Sequence, residues 1–423
     1  MQRFCNSLNF LAMALNRNAA IGFIFVTILI DVIGFGIIIP VMPDLISQLK
    51  HVETNTAATY GSWLMSAYAL TQFIFAPIIG GLSDRYGRRK ILLLSLFGFA
   101  IDYIFMALAP TYEWLFVGRI IAGITGASFT TASAYIADVS TAETRAKNFG
   151  MLGMGFGLGF IIGPVIGGVL AKYGLRVPFY GAAVLCLLNW LYGYFVLPES
   201  LPPENRRPFD IKRSNPLGSF RQMKKYPAIS GLLLAVFLLY MASHAVQSHW
   251  SYFGKYRFNW DEATIGYSLG AVGLLVALVQ GFLIRFINPR LGNEKSVYTG
   301  IVFYTIGLLL FAFASQTWMM FLFLIPYCLG GISGPALQAV MAGKVPPNAQ
   351  GELQGIITSL MSLTAIVGPP LMNNLFFFFT KKDAPVHFPG AAFLLGAIFM
   401  VSSAAVAYYT IHRRILVKND QQH

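Results

Sequence analysis

Long apolar stretches without a charged residue dominate the chain and predict helices that cross a membrane. A spanning helix needs about 20 apolar residues, and the charge-free stretches of at least that length are 54–83, 148–171, 177–198, 226–254, 263–284, 353–380 and 384–412. A longer stretch, 296–343, divides into two spans at the polar segment ASQT (314–317). Apolar segments with one charge each, around Asp31, Asp102 and Arg119, complete a set of twelve. Barrel strands use only about 9–11 residues, so the pattern favours an all-α membrane protein.

An internal repeat accompanies these spans. When the chain is shifted by 205 residues, ATYG (58–61) falls on ATIG (263–266), and RYGRRK (85–90) falls on RLGNEK (290–295). Chance rarely preserves a single offset over a hundred residues. The twelve transmembrane helices are therefore expected to form two pseudo-symmetric six-helix halves in the same orientation.

The repeat also sets the expected domain boundaries. We expect an N-terminal six-helix bundle at 19–198 and a C-terminal one at 227–413, joined by the polar cytoplasmic linker 199–226. Residues 1–18 and 414–423 are predicted to be cytoplasmic tails. Halves of this kind place a substrate site at their interface and alternate its access, so the organisation favours transport of a small molecule.

Composition and charge agree with a membrane protein. The chain is 56% hydrophobic and 11% charged, whereas soluble domains carry about 25% charged residues. If the N-terminus is cytoplasmic, 22 of the 30 Lys and Arg residues fall in inner loops and tails and 7 in outer loops. This bias places both termini in the cytoplasm of a multi-pass inner-membrane protein. A basic tract for nucleic acid would not alternate with the loops, so the net charge of +13 does not predict a nucleic-acid partner.

Nothing in the sequence suggests an enzyme. It contains no nucleotide-binding loop, metal cluster or nucleophile–base arrangement, so neither a cofactor nor a metal is expected. Cys5, Cys186 and Cys328 lie far apart and predict no disulfide framework. No cleavage site precedes the first span, and Met13 is an alternative start.

The polar loop GGLSDRYGRRK (80–90) lies between the second and third predicted helices. Gly80 permits close approach of another helix, and Gly87 permits a tight turn. Its aspartate suits a helix N-terminus, and its arginines are placed to bridge to an acid on another helix. A solvated basic loop would explain the positive charges alone, without the Gly–Asp–Gly framework. The loop resembles the signature G-x-x-x-D-R-x-G-R-R of the major facilitator superfamily. This resemblance implies a cytoplasmic gate that includes Asp84, Arg85, Gly87, Arg88 and Asp138.

The fifth predicted helix carries GFIIGPVIGG (159–168). Small residues four apart let helices pack closely in lipid, and Pro164 bends the span. A simple packing face would explain the glycines alone. The motif also resembles the antiporter signature G-x-x-x-G-P-x-x-G-G, and together with the loop at 80–90 this resemblance implies a gating role for Gly163 and Pro164 in an antiporter. The equivalent segment of the second half, TAIVGPPLMN (364–373), keeps only the Gly-Pro pair.

These two motifs resemble signatures of the major facilitator superfamily, and nearly the whole chain looks like its tetracycline-efflux branch of proton antiporters. The stretches that carry this resemblance are DVIGFGIIIPVMPDL (31–45), SAYALTQFIFAP (66–77), DRYGRRKILLLSL (84–96), DYIFMALAP (102–110), GRIIAGITGAS (118–128), AYIADVS (134–140), FGLGFIIGPVIGG (156–168), LPES (197–200) and PALQAV (335–340). The resemblance implies the major facilitator fold. It also implies that Asp31, Asp102 and Arg119 take part in proton coupling.

The position of Asp31 fits that implication. A carboxylate inside a membrane span costs at least a few kcal/mol and marks a functional group by default. At about 1.5 Å per residue, Asp31, Asp102 and Arg119 all fall in the central or outer half of the bilayer. Arg119 can neutralise one acid, and a permanent structural pair with Asp102 is an alternative to a coupling role. Asp31 is then the acid expected to take up and release a proton.

Two groups of the tetracycline branch are missing here. Tyr304 stands at the place of an aspartate in the ninth helix, and Val276 stands at the place of a histidine in the eighth. In the seventh helix, His244 is a candidate to replace the lost group in proton coupling, although an intramembrane histidine is more often a packing residue. The predicted substrate-binding groups are Tyr68, Gln72, His244, Gln247 and Gln338.

The sequence therefore predicts a monomeric, proton-coupled exporter of small amphipathic molecules, such as a tetracycline-like drug. Its partners would be the cargo, protons and the lipid bilayer. A metabolite, siderophore or sugar-type carrier of the same fold is the first alternative, and a non-transporting receptor or scaffold is the second. A scaffold would not need buried charges at Asp31, Asp102 and Arg119, whereas Tyr304 and Val276 count against an unmodified tetracycline relay.

Overall fold

The computed structural model describes residues 21–126, 128–209, 229–346 and 350–420. The predicted N-terminal tail (1–18), most of the predicted linker (199–226) and the last residues of the predicted C-terminal tail lie outside this part. Across the described ranges every regular element is helical. The all-α prediction is therefore confirmed.

Sixteen α-helices form the described chain, eight in each half. The first half contains α1 (Ile21–Ile38), α2 (Met42–Lys50), α3 (Thr54–Tyr86), α4 (Arg88–Leu108), α5 (Tyr112–Thr125), α6 (Ser128–Val139), α7 (Ala142–Ala171) and α8 (Val177–Val196). The second half contains α9 (Ser230–Gln247), α10 (Trp250–Phe258), α11 (Glu262–Leu278), α12 (Ile284–Ala312), α13 (Thr317–Leu329), α14 (Ser333–Ala342), α15 (Gln350–Thr380) and α16 (Ala391–Asp420). Short 3₁₀ turns lie at Pro203–Asn205 and Gly330–Ile332, and a π-helical turn lies at Val279–Leu283.

These helices supply the twelve spans that the sequence predicts. Eleven helical segments of the described residues are long and apolar enough to cross a membrane. One of them, Glu262–Ala312, has 51 residues and includes the non-helical residue Gly292. Because one span needs only about 20 residues, this segment holds two spans that meet at Gly292. The prediction of twelve transmembrane helices is confirmed.

The internal repeat is visible in the backbone. Gly87 and Gly292 lie 205 residues apart, and their φ angles are 99° and 75°; this region strains any residue with a Cβ atom. The fourth long helix of each half is interrupted at matching places, between α5 and α6 and at Gly330–Ile332. In each half a nine-residue helix, α2 or α10, follows the first long helix. Both halves therefore follow one helical plan.

The chain forms two compact units that do not coincide with the two halves of the sequence. The first unit contains the chain up to Leu45, the chain from Leu70 into the linker, and Glu262–Gly270. The second unit contains Ile46–Ala69, the end of the linker up to Asp261, and the chain from Ala271 onward. Each half thus contributes one segment to the unit built mainly from the other. The predicted bundle boundaries at 198 and 227 stay a prediction.

Small residues hold the first unit together. A Cβ atom on Gly36 of α1 would lie 2.7 Å from Cδ of Pro164 in α7, and one on Gly163 would lie 2.7 Å from the carbonyl oxygen of Ile33. In the middle of α11, Gly270 meets the same helix, with a built Cβ only 2.7 Å from the side chain of Val165. These close contacts are the packing that small residues permit in lipid. They place the 159–168 motif between α1 and the contributed segment of α11.

Hydrogen bonds hold the contributed segment Ile46–Ala69 within the second unit. The side-chain amide of Asn55 donates to the carbonyl of Thr380 at 3.1 Å, and the hydroxyl of Ser66 donates to the carbonyl of Ile366 at 2.6 Å. The hydroxyl of Tyr256 donates to the same Thr380 carbonyl at 3.2 Å. Thr380 ends α15, where carbonyls have no partner within the helix. The segment therefore caps the end of a helix from the other half.

A buried histidine stabilises the second unit near the start of α10. The Nδ1 atom of His249 lies 3.2 Å from the side-chain oxygen of Asn373. Its ring packs among those of Phe253, Phe376 and Phe393, with ring centres 4.5 to 5.6 Å apart. Aromatic contacts of this kind stabilise a buried ring beyond its area alone. His249 therefore acts as a packing residue.

Candidate functional site

A buried ion pair joins α4 to α5 in the first unit. The Nη2 atom of Arg119 donates to Oδ2 of Asp102, and the two side chains are 7% and 0% exposed. The same nitrogen lies 2.8 Å from the sulfur of Met106. Because each charge offsets the desolvation of the other, the pair is tolerated where a lone charge would not be. The structure thus brings two of the three predicted coupling residues together.

Gly118 makes room for this pair. A Cβ atom on Gly118 would lie 2.9 Å from Oδ1 of Asp102 and 3.2 Å from Cγ of Met106. The absence of a side chain lets α4 and α5 approach closely enough for the short arginine-to-carboxylate contact. The sequence placed Gly118 within a family-like stretch but gave no reason for the glycine. Its contact with Asp102 supplies one.

Asp31 lies on α1, and both of its carboxylate oxygens are buried. One turn further along α1, Gly34 faces the ring of Tyr103, and a Cβ atom there would lie 2.9 Å from the tyrosine hydroxyl. Tyr103 directly follows Asp102 on α4. The turn of α1 that carries Asp31 therefore packs beside the turn of α4 that carries the ion pair.

Sequence reasoning missed two polar side chains in this region. Tyr103 and Cys186 are both buried, and each lies within electrostatic range of Asp31 and Asp102. The position of Tyr103 next to Asp102, in a family-like stretch, was the available signal. Cys186 on α8 offered no signal, because the pattern of a helix shows which face is apolar but not which neighbour it meets.

In the second unit, a neutral pair joins the corresponding helices α12 and α13. The hydroxyl of Tyr304 donates to the hydroxyl of Tyr327 at 2.9 Å, and the two rings meet edge to face with centres 4.7 Å apart. A Cβ atom on Gly330 would lie 2.6 Å from Cβ of Tyr304, so the packing is tight. The residue at the place of the family's acid is thus a buried hydroxyl bonded to the next helix.

His244 occupies the contact between α9 and α15. Its imidazole packs directly on Gly368, where any Cβ atom would overlap the ring, and only 7% of the residue is exposed. Its Nδ1 atom is buried and has no hydrogen-bond partner among the described residues. One turn away, Gln247 is exposed, and its amide lies 3.4 Å from the hydroxyl of Ser243. Of these two predicted site residues, Gln247 is the accessible one.

The remaining predicted binding groups lie at different places. In the first unit, the amide of Gln72 donates to the carbonyl of Gly126 at 3.0 Å, at the interruption between α5 and α6. In the second unit, the amide of Gln338 lies 3.4 Å from the hydroxyl of Tyr240. Tyr68 is a half-buried residue of α3 within the segment that joins the second unit. Gln72 and Gln338 are thus bonded within their own units, and the role of the three residues in binding cargo stays a prediction.

The turn between α3 and α4 holds a charge network around Arg88. Its guanidinium lies 2.5 Å from Asp84 and 3.1 Å from Asp138, and it donates to the hydroxyl of Ser83 at 2.6 Å. Charge-assisted bonds of this kind are roughly twice as strong as neutral ones. Arg85 instead is exposed and lies over the ring of the next residue, at 5.1 Å. Asp84 and Asp138 thus meet at Arg88, and Arg85 points elsewhere.

An acid that the sequence did not single out completes this turn. Glu199 follows α8, and its Oε1 atom accepts a hydrogen bond from the backbone amide of Arg88 at 2.8 Å. Its side chain also fills the space beside Gly87. The only signal in the sequence was the family-like stretch LPES (197–200), which contains it.

The chemistry that these groups offer is the holding of charge and the exchange of protons inside apolar helices. Within 21–126, 128–209, 229–346 and 350–420, no group of three or more His, Cys, Asp or Glu side chains is placed to hold a metal ion. Cys186 and Cys328 are buried free thiols. A buried acid that gains and loses a proton changes the charge of its surroundings, and this is what an ion-coupled transporter requires.

Known proteins share this sequence and this fold. The Major Facilitator Superfamily profile matches residues 24–369 and 255–421. The chain is 40% identical over 362 residues to the class C tetracycline resistance protein of Escherichia coli, which covers 86% of this chain and 91% of that protein. It is 35% identical over 401 residues to the class H tetracycline resistance protein of Pasteurella multocida, which covers 94% of this chain and 97% of that protein.

The fold comparison agrees. A solved bacterial homologue of the human lysosomal transporter Spinster matches 93% of this chain and 97% of its own, with a TM-score of 0.75 at 16% identity. At that identity the match concerns the fold alone. The sequence matches reach further, because they exceed 30% identity over most of both chains. The chain belongs to the Major Facilitator Superfamily, and within it to the family of the tetracycline resistance proteins.

Proposed function

We propose that this protein exports a tetracycline-like amphipathic compound in exchange for protons, by alternating access across the inner membrane. The superfamily consists of transporters, so the protein is a multi-pass membrane transporter and not an enzyme. The names of its relatives supply the class of cargo. The buried charges of the first unit support the coupling to protons.

The buried cluster of Asp31, Asp102 and Arg119 carries this proposal. Each charge lies in a helix that is otherwise apolar over its span, and each is costly there unless it has a use. A purely structural role would be met by the ion pair between Asp102 and Arg119 alone. Asp31 adds a third ionisable group on a different helix, and a stabilising pair does not require it.

The cluster suggests how a proton gradient drives export. In our proposal Asp31 takes up a proton when the cargo path faces the outside and releases it when the path faces the cytoplasm. Asp102 and Arg119 hold the neighbouring charge, and movement of α1 against α4 changes the balance between desolvation and that charge at Asp31. His244 is a second candidate for proton exchange, because it is a titratable group whose Nδ1 atom has no hydrogen-bond partner among the described residues.

The cargo contacts are proposed from the polar residues that the sequence singled out. We propose that the cargo meets a set of mainly neutral side chains, in keeping with the hydroxyl of Tyr304 at the place of the family's acid. Gln247 is exposed, and Tyr68, Gln72 and Gln338 are half-buried. The proposed cargo-binding set is Tyr68, Gln72, His244, Gln247 and Gln338.

Orientation, oligomeric state and gating complete the proposal. The charge bias of the loops supports cytoplasmic termini, and we propose that the protein works as a monomer. The network of Asp84, Arg88 and Asp138 would close the cytoplasmic side and come apart when that side opens. Gly163 and Pro164 would supply the close, bendable contact between α7 and α1 on which this movement depends.

Inverted membrane vesicles test the function directly. Vesicles with an acidified lumen would be given tetracycline while a dye reports the internal pH. We expect the lumen to lose protons in a tetracycline-dependent manner, and we expect an uncoupler to abolish accumulation of the drug. Proton loss without a response to tetracycline, but with a response to another amphipathic compound, would contradict only the cargo. No response to any compound would contradict the exporter.

Asp31→Asn is the variant that tests the coupling. It should fold and reach the membrane, because asparagine keeps the shape of the side chain. Gradient-driven accumulation should fall to the level of vesicles without the protein, since the amide cannot carry a proton. Asp383→Asn is the matched control, because it removes an acid that is 82% exposed in a loop. Normal accumulation by Asp31→Asn would defeat the proposed role.

A further inference from the structure

We propose that Glu199 is a positioning residue of the transport cycle, which fastens the start of the linker to the α3–α4 turn and so makes the linker a part of the gate. The segment concerned is Leu197–Arg207, which we call the strap. All of its contacts described below lie within the first unit. Neither the motif of the turn nor the names of the relatives assigns a role to this segment.

The first observation is that Glu199 caps α4. The residue before α4 is Gly87, which has no side chain to accept a bond from the exposed amides of the first turn. The Oε1 atom of Glu199 accepts from the amide of Arg88 at 2.8 Å and is 3.5 Å from the amide of Arg89. A carboxylate at a helix N-terminus is also favoured by the helix dipole. An acid 111 residues away thus does the work of the missing local cap.

The second observation is that the turn is shaped to receive this carboxylate. Gly87 is buried, and its Cβ atom, if present, would overlap the Oε2 atom and the carboxyl carbon of Glu199. The positive φ of Gly87 explains a glycine by itself. The repeat-related Gly292 has a similar backbone conformation, yet no described atom beyond its chain neighbours and the backbone of its own helix lies within 4 Å of its Cβ position. Among the described residues, a carboxylate therefore occupies the first turn and not the second.

The third observation is that further bonds hold the strap to the same turn. The backbone amide of Arg207 donates to the carbonyl of Asp84 at 3.2 Å. The guanidinium of Arg206 lies 3.9 Å from Oε2 of Glu199. The amide of Leu201 donates to Oε1 of Glu199 at 3.1 Å, so the strap folds back around its own acid. The carboxylate of Glu199 thus binds the first turn of α4 and also two later residues of its own strap, Leu201 and Arg206.

The strap also reaches the helix that carries the third gate residue. The hydroxyl of Ser200 donates to Asp138 at 3.1 Å, at the same oxygen that meets Arg88. On the same helix, Tyr135 donates its hydroxyl to the carbonyl of Pro198 at 2.9 Å. The strap therefore bonds to α3, α4 and α6. Any movement of the α3–α4 turn against α6 must either carry the strap along or break these bonds.

Hydrogen–deuterium exchange of the purified full-length protein tests the cap without reference to any cargo. Glu199→Ala should make the amides of residues 88 and 89 exchange about fivefold faster. This factor corresponds to a loss of about 1 kcal/mol, the usual contribution of one helix cap. Glu199→Gln keeps an acceptor oxygen but not the charge, so its effect should be about half as large on a logarithmic scale. Glu204→Gln is the matched control, because it removes an exposed acid from the same strap, and exchange at 88 and 89 should not change.

Transport measurements on the same variants test the link to the gate. This arm rests on the proposed function and uses tetracycline as the probe. Glu199→Gln should lower the maximal rate of proton-coupled uptake about threefold, with the half-saturating concentration unchanged, because it acts on the conformational step and not on cargo contacts. A cap without a role in the gate would change exchange and leave this rate unaffected.

The outcomes separate this proposal from the proposed function. Unchanged exchange in Glu199→Ala would overturn the cap whatever the cargo is. If Glu199→Ala does not yield folded protein, the exchange rates of the amides of residues 88 and 89 in the milder Glu199→Gln decide whether the cap exists. If the unaltered protein does not respond to tetracycline, the proposed cargo fails, and the strap is then judged by exchange alone. Normal rates together with fast exchange would overturn the role in the gate.

Discussion

The two halves of the chain join equivalent helices with different chemistry. In the first half, α4 meets α5 through the ion pair of Asp102 and Arg119. In the second half, α12 meets α13 through the hydroxyls of Tyr304 and Tyr327. The two halves thus share one arrangement of helices but differ in the kind of contact that joins these two helices. Buried charge is concentrated in one half, and neutral hydrogen bonds fix the same pair of helices in the other.

The turns at Gly87 and Gly292 differ in a similar way. Gly87 and Gly292 share a positive φ, so the backbone demands glycine in both. The first turn is surrounded by Arg88, Asp138 and Glu199, whereas the second lies in an exposed stretch. A shared turn geometry therefore does not imply a shared role, and the polar neighbours distinguish the two.

The largest effect on stability is expected when one charge of the ion pair in the first half is removed. Arg119→Ala leaves Asp102 buried without its arginine, which should cost about 3–5 kcal/mol of stability. The detergent-solubilised protein would be heated, and the folded fraction would be measured by size-exclusion chromatography. We expect a large fall in the midpoint temperature of unfolding. The double variant Asp102→Asn with Arg119→Gln should recover much of that stability, because no lone charge remains. Arg257→Ala, which removes an exposed arginine, is the control and should have little effect.

A smaller effect is expected from adding one methyl group to each turn. Gly87→Ala and Gly292→Ala both place a Cβ atom in a strained conformation, at about 1–3 kcal/mol each. Gly87→Ala also displaces the carboxylate of Glu199, so it should lower the unfolding midpoint further and slow transport. Equal effects at the two glycines would contradict the distinction drawn between the turns. In the Glu199→Ala background, Gly87→Ala should cost no more than Gly292→Ala does alone, since the colliding group is gone.

The smallest effect is expected from the neutral pair. Tyr304→Phe removes one hydroxyl and leaves that of Tyr327 without its partner, at about 1–2 kcal/mol. The number of protons exchanged per drug molecule should not change, because no charge is lost. A change in that ratio would show that the second half shares in the coupling, and the division of tasks would then be wrong.

Much of the fold could be predicted from the sequence because lipid imposes strict rules on it. The length of the apolar runs fixed the spans, and the 205-residue offset anticipated the matching glycine turns. That Arg119 neutralises one buried acid could also be expected from the sequence, because a lone charge is costly in a bilayer, and the structure shows that this acid is Asp102. The polar ASQT segment (314–317) follows α12 and ends at Thr317, the first residue of α13, so it separates the two spans as expected.

The rest depended on contacts between segments far apart in sequence. Glu199 reaches an amide 111 positions away, and periodicity along a helix does not reveal such partners. The place of Tyr304 could be identified, but its bond to Tyr327 could not, because tyrosine hydroxyls have many acceptable partners. The transfer of Ile46–Ala69 into the other unit depends on bonds such as Asn55 to Thr380, which no local pattern announces.

The open surroundings of Gly292 have a practical consequence. Residues 290–295 are all exposed, and exposed loop tips of this kind tolerate insertions. A fluorescent label or an epitope inserted next to this glycine should disturb only exposed contacts, such as the bond between Asn288 and Asn293, and would report on the whole transporter in a living cell. The same tag at Gly87 would displace the carboxylate of Glu199 from the first turn of α4. Of the two repeat-related turns, the one at Gly292 is therefore the better insertion site for a reporter of the transporter in cells.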